Sequence, residues 1–394
     1  MMPPMKVRAI RWLAMACALA CPVAAEAEPR MREPEPVARL PIVVPFPECG
    51  STVLLPVRVN GSEPRLFILD SGANSIALDH RVADSLRLHP TGAGAGSGAG
   101  AGPVPYRQYP RDSVEFDVAG VSFRSDHTIS TDLSNQPGIL GYSVAGVLGS
   151  DFFHRVTVEI EYDTGVVRLH DPERFTPPAG ARSIPLVFER RVPFVTARLQ
   201  VTGRPARARR LLVDSGSEDA VDDSLLLESR GPLRRVIGGV GSGQTYEVVF
   251  GRIERFELGP FALEDLPSVA PGVSLIGGEV LRRFRVTLDY ARERMLLIPG
   301  RHFRDEAPVD LSGLTLRLAG DGTRLRVEDV ASGSAAERAR VRPGELLVAI
   351  DGAPVGDLGL RRAQAILMVP GMRLRLHFES ESRLREVDLA LPLR

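Results

Sequence analysis

Residues 66–73, LFILDSGA, are the most informative segment of the chain, because a similar segment, LLVDSGS, occurs at residues 211–217. In each copy an apolar run, which predicts a buried strand, ends in Asp-Ser-Gly, at Asp70-Ser71-Gly72 and at Asp214-Ser215-Gly216. A lone carboxylate at the end of an apolar strand is costly to bury. Two facing carboxylates can share one proton, which lowers this cost and creates a pair that exchanges protons.

The two Asp-Ser-Gly segments begin two copies of a longer pattern. After Asp70 come a glycine-rich segment (92–102), the apolar-apolar-Gly segment GVLGSDFF (146–153) and a closing hairpin. After Asp214 come a second glycine-rich segment (238–250), SLIGGEVLRRF (274–284) and a second closing hairpin. Because the parts recur in the same order, we predict an internal duplication. The first glycine-rich segment, GAGAGSGAGAG, predicts a mobile loop.

Composition and the N-terminus limit the class of protein. The chain of 394 residues has zero formal net charge, so its bulk charge gives no indication of a nucleic-acid partner. Its single lysine, Lys6, lies near the N-terminus, which excludes lysine-based Schiff-base and phosphate-loop chemistry from the rest of the chain. Residues 1–27 predict a signal peptide and export to the periplasm or the extracellular space, with lipid anchoring at Cys21 as the weaker alternative. No membrane span is expected.

Cysteine and histidine usage gives no indication of a redox or metal centre. Cleavage after residue 27 leaves Cys49 as the one remaining cysteine, which we interpret as a packed small apolar residue. The seven histidines have no HExxH or paired metal spacing, and no GxSxG motif is present. We therefore expect no metal ion and no other cofactor.

The paired motifs carry a family resemblance. Asp-Ser-Gly-Ala/Ser after an apolar strand, followed by apolar-apolar-Gly, resembles the retropepsin-like aspartic proteases, and both halves carry the set. The first set is Asp70-Ser71-Gly72-Ala73 with Val147-Leu148-Gly149, and the second is Asp214-Ser215-Gly216-Ser217 with Leu275-Ile276-Gly277. The resemblance covers roughly residues 42–300 and implies two β-barrel lobes in one chain, arranged as a pepsin-like pseudo-dimer.

The resemblance also implies a role for each motif residue. Asp70 and Asp214 are the expected catalytic pair, which activates a water that attacks a peptide carbonyl. Ser71 and Ser215 are expected to hydrogen-bond across the pseudo-two-fold axis, while Gly72 and Gly216 leave room for the substrate backbone. A hydroxyl at Ser217 that bonds the Asp214 carboxylate would favour its ionised form, so Asp214 is the expected base.

The C-terminal part of the chain resembles a PDZ domain. The evidence is VRPGELLVAIDGAPV at residues 341–355, whose Gly344, Asp351 and Gly352 match the turn residues of that family. The resemblance implies that Gly313-Leu314-Thr315-Leu316 forms a carboxylate-binding loop and that a helix near residues 358–368 walls a groove. A protein C-terminal tail in that groove would add a strand to the sheet.

The combined prediction is an all-β pair of lobes followed by an α+β PDZ domain. Its parts are a signal peptide (1–27), a flexible leader (28–41), a first lobe (42–178), a second lobe (183–300) and a C-terminal unit (308–394). The predicted function is an exported aspartic endopeptidase that acts on peptide or protein substrates, with the C-terminal unit positioning them. Two alternatives stay open: an inactive peptide-binding adaptor, and lobes that each pair with another chain.

Overall fold

The computed structural model of the chain describes residues 40–98, 102–238, 246–307, 309–380 and 383–393. The predicted signal peptide, Cys21 and nearly all of the predicted leader therefore lie outside the described residues. In the described ranges β-strands predominate, which confirms the prediction of a mainly β fold. No helix in these ranges is both long enough and apolar enough to cross a bilayer.

The first lobe begins with a strand that is followed by the hairpin leading to Asp70. Its strands are β1 (Ile42–Pro45), β2 (Leu54–Val59), β3 (Arg65–Leu69), β4 (Ile76–Asp79), β5 (Gly92–Gly96), β6 (Val104–Tyr109), β7 (Glu115–Val118), β8 (Val121–Arg124), β9 (Thr128–Thr131), β10 (Gly146–Leu148), β11 (Thr157–Glu161) and β12 (Val166–His170). Its helices are α1 (His80–Ser85), a 3₁₀ turn (Arg111–Ser113), α2 (Gln136–Leu140) and α3 (Ser150–Phe153). Nine of the strands form one sheet, in the order β5-β6-β9-β4-β10-β3-β2-β7-β8.

The second lobe shares the central part of this plan. Its strands are β13 (Arg182–Pro185), β14 (Val187–Glu189), β15 (Val192–Gln200), β16 (Arg207–Val213), β17 (Val221–Asp222), β18 (Arg234–Gly238), β19 (Tyr246–Leu258), β20 (Phe261–Ala270), β21 (Leu275–Ile276), β22 (Phe284–Asp289) and β23 (Arg294–Pro299). Its helices are α4 (Gly278–Leu281) and two 3₁₀ turns (Ser224–Glu228 and Tyr290–Arg292). Eight strands form its sheet, with β17-β21-β16-β15-β19-β18 as the main path.

A third sheet joins the two lobes. Its six strands have the order β1-β12-β11-β22-β23-β13, so each lobe contributes its closing hairpin and its first strand. The central pair is antiparallel, with Val158 opposite Leu288 and Ile160 opposite Val286. These side chains are fully buried in one apolar core that draws residues from both lobes. The lobes are therefore held together by backbone pairing as well as by packing.

The first glycine-rich segment differs from the predicted mobile loop. Gly92–Gly96 is strand β5, paired with β6 in a hairpin that sets Gly92 opposite Gln108 and Gly96 opposite Val104. A side chain at Gly94 would collide with the Tyr106 hydroxyl, 2.5 Å from an ideal Cβ, so the small residues let the ring lie across the strand. Residues 99–101 of the first glycine-rich segment and residues 239–245 of the second lie outside the described residues.

The C-terminal unit has its own sheet and its own apolar core. Its elements are β24 (Leu314–Leu318), β25 (Leu325–Val330), α5 (Ala335–Arg338), β26 (Leu346–Ile350), β27 (Ala353–Pro354), α6 (Val355–Ile366), β28 (Arg373–Ser380) and β29 (Arg383–Ala390). The sheet order is β24-β25-β26-β28-β29, with β27 on β26, so β24 is an edge strand. Helix α2 of the first lobe lies against this edge strand.

Candidate active site

Each Asp-Ser-Gly segment begins where a buried strand ends. Strand β3 delivers Asp70 and strand β16 delivers Asp214. The apolar-apolar-Gly segments lie beside them as β10 and β21, each parallel to the strand it supports. Their last apolar residues accept the aspartate amides, since the Asp70 amide donates to Leu148 and the Asp214 amide to Ile276, both at 3.0 Å. These segments therefore fix the position of both aspartates at the ends of their strands.

The two serines clamp the loops across the interface between the lobes. The Ser71 hydroxyl donates to the Val213 carbonyl at 2.6 Å and accepts the Ser215 amide at 3.0 Å. In return, the Ser215 hydroxyl donates to the Leu69 carbonyl at 2.8 Å and accepts the Ser71 amide at 3.0 Å. Both serines are fully buried, so these four bonds form without competition from water.

The glycines of the motif make room for the opposite carboxyl group. An ideal Cβ on Gly72 would lie 2.7 Å from the Asp214 Cγ, and one on Gly216 would lie 2.5 Å from the Asp70 Cγ. The resemblance implies that Gly72 and Gly216 leave room for the substrate backbone. In the structure, the space beside each glycine Cα holds the aspartate of the other loop. The reason is the clamp, which draws the loops close enough for the carboxyl groups to meet.

Both carboxyl groups are half-buried and share a hydrogen bond. Burial raises the pKa of Asp70, and the adjacent Asp214 charge and hydrogen bond raise it further, well above the ordinary value, against the amides of Gly72 and Ala73. Burial also raises the pKa of Asp214, while the Gly216 amide and the hydrogen bond with Asp70 oppose the rise. The pair therefore binds a proton to a higher pH than an ordinary aspartate does, and this titration belongs to the two groups together.

Ser217 contacts the site in a different way from the one expected. Its amide donates to Asp214 Oδ1 at 3.2 Å, whereas its hydroxyl lies 3.2 Å from Asp219 Oδ2 and accepts the Asp219 amide at 3.1 Å. The hydroxyl therefore closes a local turn instead of bonding the Asp214 carboxylate. The hydrogen bond with Asp70, and not the Ser217 hydroxyl, opposes the rise in the pKa of Asp214.

A second carboxyl pair, which the sequence interpretation missed, follows the second loop. The side chains of Asp219 and Asp222 share a hydrogen bond, and Asp222 is buried. Burial and then the Asp219 charge raise the pKa of Asp222 well above its ordinary value, and the Asp219 charge also raises the pKa of Asp214. The signal that could have found this pair is its position within eight residues of Asp214, since clustered carboxyl groups shift one another.

Tyr290 is another residue that sequence reasoning did not single out. It is buried beneath the first loop, where its hydroxyl lies 3.5 Å from the Ser71 carbonyl and its ring stacks on Phe153 at 5.2 Å. Burial and then the charges of Asp70 and Asp214 raise its pKa well above the ordinary value, so it stays neutral behind the dyad. Its ring packs beneath the site, and its hydroxyl stays protonated while the aspartates titrate.

Tyr106, Tyr109 and Cys49 belong to the apolar core. Tyr106 and Tyr109 are buried, and the Tyr109 hydroxyl lies 3.0 Å from Ser130 Oγ. The side chain of Tyr246 lies outside the part of the chain that the structure describes. Cys49 is a free, buried thiol whose pKa burial raises to about 11, so it is a weak nucleophile in the folded chain. Within the described ranges, no group of His, Cys, Asp or Glu side chains is arranged to hold a metal ion.

Backbone amides of the predicted carboxylate-binding loop donate to side chains close by in the sequence. Asp310 folds back on it, accepting the Gly313 amide at 2.7 Å and the Ser312 amide at 3.1 Å, and Ser312 Oγ accepts the Leu314 amide at 3.0 Å. Thr315 and Leu316 lie in β24, paired with β25. Two of the four amides expected to cradle a peptide carboxylate, those of Gly313 and Leu314, therefore already have side-chain acceptors.

The geometry agrees with a comparison of the chain with known protein families. Residues 55–152 match a family model described as aspartyl protease, which confirms the coarser part of the predicted resemblance. The second lobe and the C-terminal unit lie outside the matched residues. No curated protein matches the chain. Residues 55–152, which contain Asp70-Ser71-Gly72 and its supporting apolar-apolar-Gly segment, are thus similar to aspartyl proteases.

Proposed function

We propose that this protein is an aspartic endopeptidase whose catalytic pair, Asp70 and Asp214, comes from one chain. The observation that carries the proposal is the position of each carboxyl group against the glycine of the other loop. The four hydrogen bonds of the serine clamp hold the two loops in this arrangement. A hydrogen-bonded carboxyl pair with raised pKa values is the arrangement that shares one proton. The family match of residues 55–152 supports the same chemistry.

In the proposed reaction Asp214 is the ionised partner. It takes a proton from a bound water, whose oxygen attacks the carbonyl carbon of the peptide bond, while the proton on Asp70 hydrogen-bonds the carbonyl oxygen as negative charge develops there. The tetrahedral intermediate then collapses, and the leaving nitrogen receives a proton from the pair. One proton on the dyad is required at the start, so activity falls as the pH rises through the upper pKa of the pair.

The N-terminal basic and apolar residues favour an exported enzyme, which we include in the proposal. Substrate recruitment by the C-terminal unit is not included in it, because Asp310 and Ser312 already accept two amides of the predicted carboxylate loop. Binding of peptides without cleavage remains the outcome that would favour the adaptor.

The test is cleavage of a mixed peptide library from pH 3 to 7 by the wild type, Asp70→Asn and Asp214→Asn. We expect both variants to lose at least about 10³-fold in kcat/KM, since each removes a group that acts in the transition state. Asp112→Asn is the matched control, because this side chain is 94% exposed. Full cleavage by either dyad variant would contradict the proposal, and peptide binding without cleavage by the wild type would favour the adaptor.

A further inference from the structure

A single side chain of the C-terminal unit reaches both lobes. Arg361, on helix α6, makes a two-pronged contact with Glu218 of the second lobe: Nη1 donates to Oε2 and Nη2 lies against Oε1, each at 2.9 Å. Its side chain is 21% exposed and that of Glu218 is 35% exposed, so the ion pair is largely withdrawn from water. A paired fork of this kind fixes orientation as well as distance.

The same guanidinium also contacts the first lobe. Nε donates to the Leu140 carbonyl at the end of α2, at 3.4 Å, and Nη2 approaches the Cys49 Sγ at 3.7 Å. Helix α2 itself lies against β24, where an ideal Cβ on Gly138 would be 3.4 Å from the Leu318 carbonyl. The guanidinium of Arg361 therefore lies where the first lobe, the second lobe and the C-terminal unit meet.

Glu218 belongs to the loop that holds the Asp214 carboxylate. The residue before it, Ser217, donates its amide to Asp214 Oδ1, and the Ser217 carbonyl accepts the Gly278 amide at 2.7 Å. Glu218 Oε1 also accepts the Thr52 hydroxyl at 3.1 Å. At Gly50 the φ angle is +61°, and an ideal Cβ would lie 2.6 Å from the same oxygen, so both conformation and space require glycine there.

We propose that Arg361 is a positioning residue for the dyad, which fixes the Asp214 loop through Glu218 and makes the C-terminal unit part of the active-site scaffold. This inference rests on the proposed function. The first lobe provides the contrast: Asn74 occupies the position of Glu218, and its Oδ1 is buried without a hydrogen-bond partner among the described residues. The two loops thus share one backbone plan, but only the second is tied to the C-terminal unit by an ion pair.

The first test compares Arg361→Gln with Arg362→Gln in the full chain. Arg362 is the exposed neighbour on the same helix and serves as the matched control. We expect Arg361→Gln to lower kcat by about 10- to 100-fold with a smaller change in KM, because a misplaced carboxylate impairs the chemical step more than binding. Glu218→Gln should give a similar loss, and the double variant should lose little more than either single variant. An unchanged kcat in both single variants would overturn the inference.

The second test does not depend on activity. Cys49 lies under the guanidinium of Arg361, so the rate at which its thiol reacts with 5,5′-dithiobis(2-nitrobenzoate) reports the docking of α6. The chains carry Cys17→Ser and Cys21→Ser so that Cys49 is the only thiol. We expect faster labelling in Arg361→Gln and Glu218→Gln, and an unchanged rate in Arg362→Gln.

The two tests separate the inference from the proposed function. If the wild type cleaves no peptide but Arg361→Gln still exposes Cys49, the proposed function fails and the docking role of Arg361 stands, while its role in positioning a catalytic dyad is overturned. If the wild type cleaves through Asp70 and Asp214 while Arg361→Gln changes neither kcat nor labelling, the inference is overturned and the proposed function stands.

Discussion

The two Asp-Ser-Gly loops make the same backbone contacts in different surroundings. Each aspartate accepts the amides two and three residues after it, each serine clamps the other loop, and each loop is supported by a parallel apolar strand. The similarity extends further along the chain: Asp79 caps α1 and pairs with Arg81, while Asp223 caps the 3₁₀ turn of the second lobe and pairs with Arg209.

The differences lie in side chains that surround this common backbone. Asn74 is matched by Glu218, which binds the C-terminal unit, and the buried Leu78 is matched by the buried Asp222. The symmetric contacts therefore hold the carboxyl pair, while the second loop adds the buried side chain of Asp222 and the ion pair between Glu218 and Arg361. Variants can test each half of this statement.

The largest expected effect comes from breaking the clamp, which is symmetric. Ser71→Ala leaves the Val213 carbonyl and the Ser215 amide without a partner, and Ser215→Ala leaves the Leu69 carbonyl and the Ser71 amide in the same state. Because all these groups are buried, each variant should lose about 2–6 kcal/mol of unfolding free energy. Urea unfolding measures it, with the exposed Ser122→Ala as the control, and a large loss in only one serine variant would show that the clamp is not symmetric.

The next effect concerns the spacing of the carboxyl groups. Gly72→Ala and Gly216→Ala each place a methyl group against the opposite aspartate and should push the pair apart. We expect each to lower kcat/KM by about 100-fold, the scale of a misplacement of about 1 Å. Gly320→Ala is the control, because an ideal Cβ there meets nothing within 4 Å. Normal activity in either variant would mean that the carboxyl groups need not be in contact for catalysis.

The symmetric half of this comparison could be predicted from sequence and the asymmetric half could not. Two copies of Asp-Ser-Gly with an apolar-apolar-Gly segment each specify a local strand and turn, and the duplication indicates that they meet. The contact between Arg361 and Glu218 joins residues 143 positions apart, and neither residue lies in a motif. Such an ion pair depends on how three units pack, which no local pattern encodes.

Two further differences between the predicted and the observed structure have local causes. Gly92–Gly96 contains residues with poor strand propensity, yet it forms β5 because β6 supplies a complete pairing partner. The loop at Gly313 has the glycine expected of a carboxylate-binding loop, but Asp310 lies three residues before it and accepts its amide. In both places a neighbouring segment, and not the motif itself, decides the contacts.

The smallest expected effect tests the extra charge of the second lobe. Burial and the Asp219 charge raise the pKa of Asp222 above its ordinary value of 3.8, so the folded state binds this proton more tightly than the unfolded state does. Its contribution to stability is therefore full below about pH 4 and is lost as the pH rises towards the folded pKa. Asp222→Leu places the first lobe's own residue there and removes the charge. Relative to the wild type, the variant should therefore become progressively more stable as the pH rises from 4 to 7, because only the wild type loses this contribution.

Urea unfolding of the wild type, Asp222→Leu and Asp222→Asn at a series of pH values measures this gain. Asp222→Asn separates the loss of charge from the loss of hydrogen bonds: it should show the same pH trend relative to the wild type, while its Oδ1 can still accept the Val269 amide. A stability difference between wild type and both variants that does not change with pH would show that Asp222 is ionised in the fold. In that case Asp222 differs from Leu78 of the first lobe in side-chain shape, and Asp222 does not share a proton with Asp219.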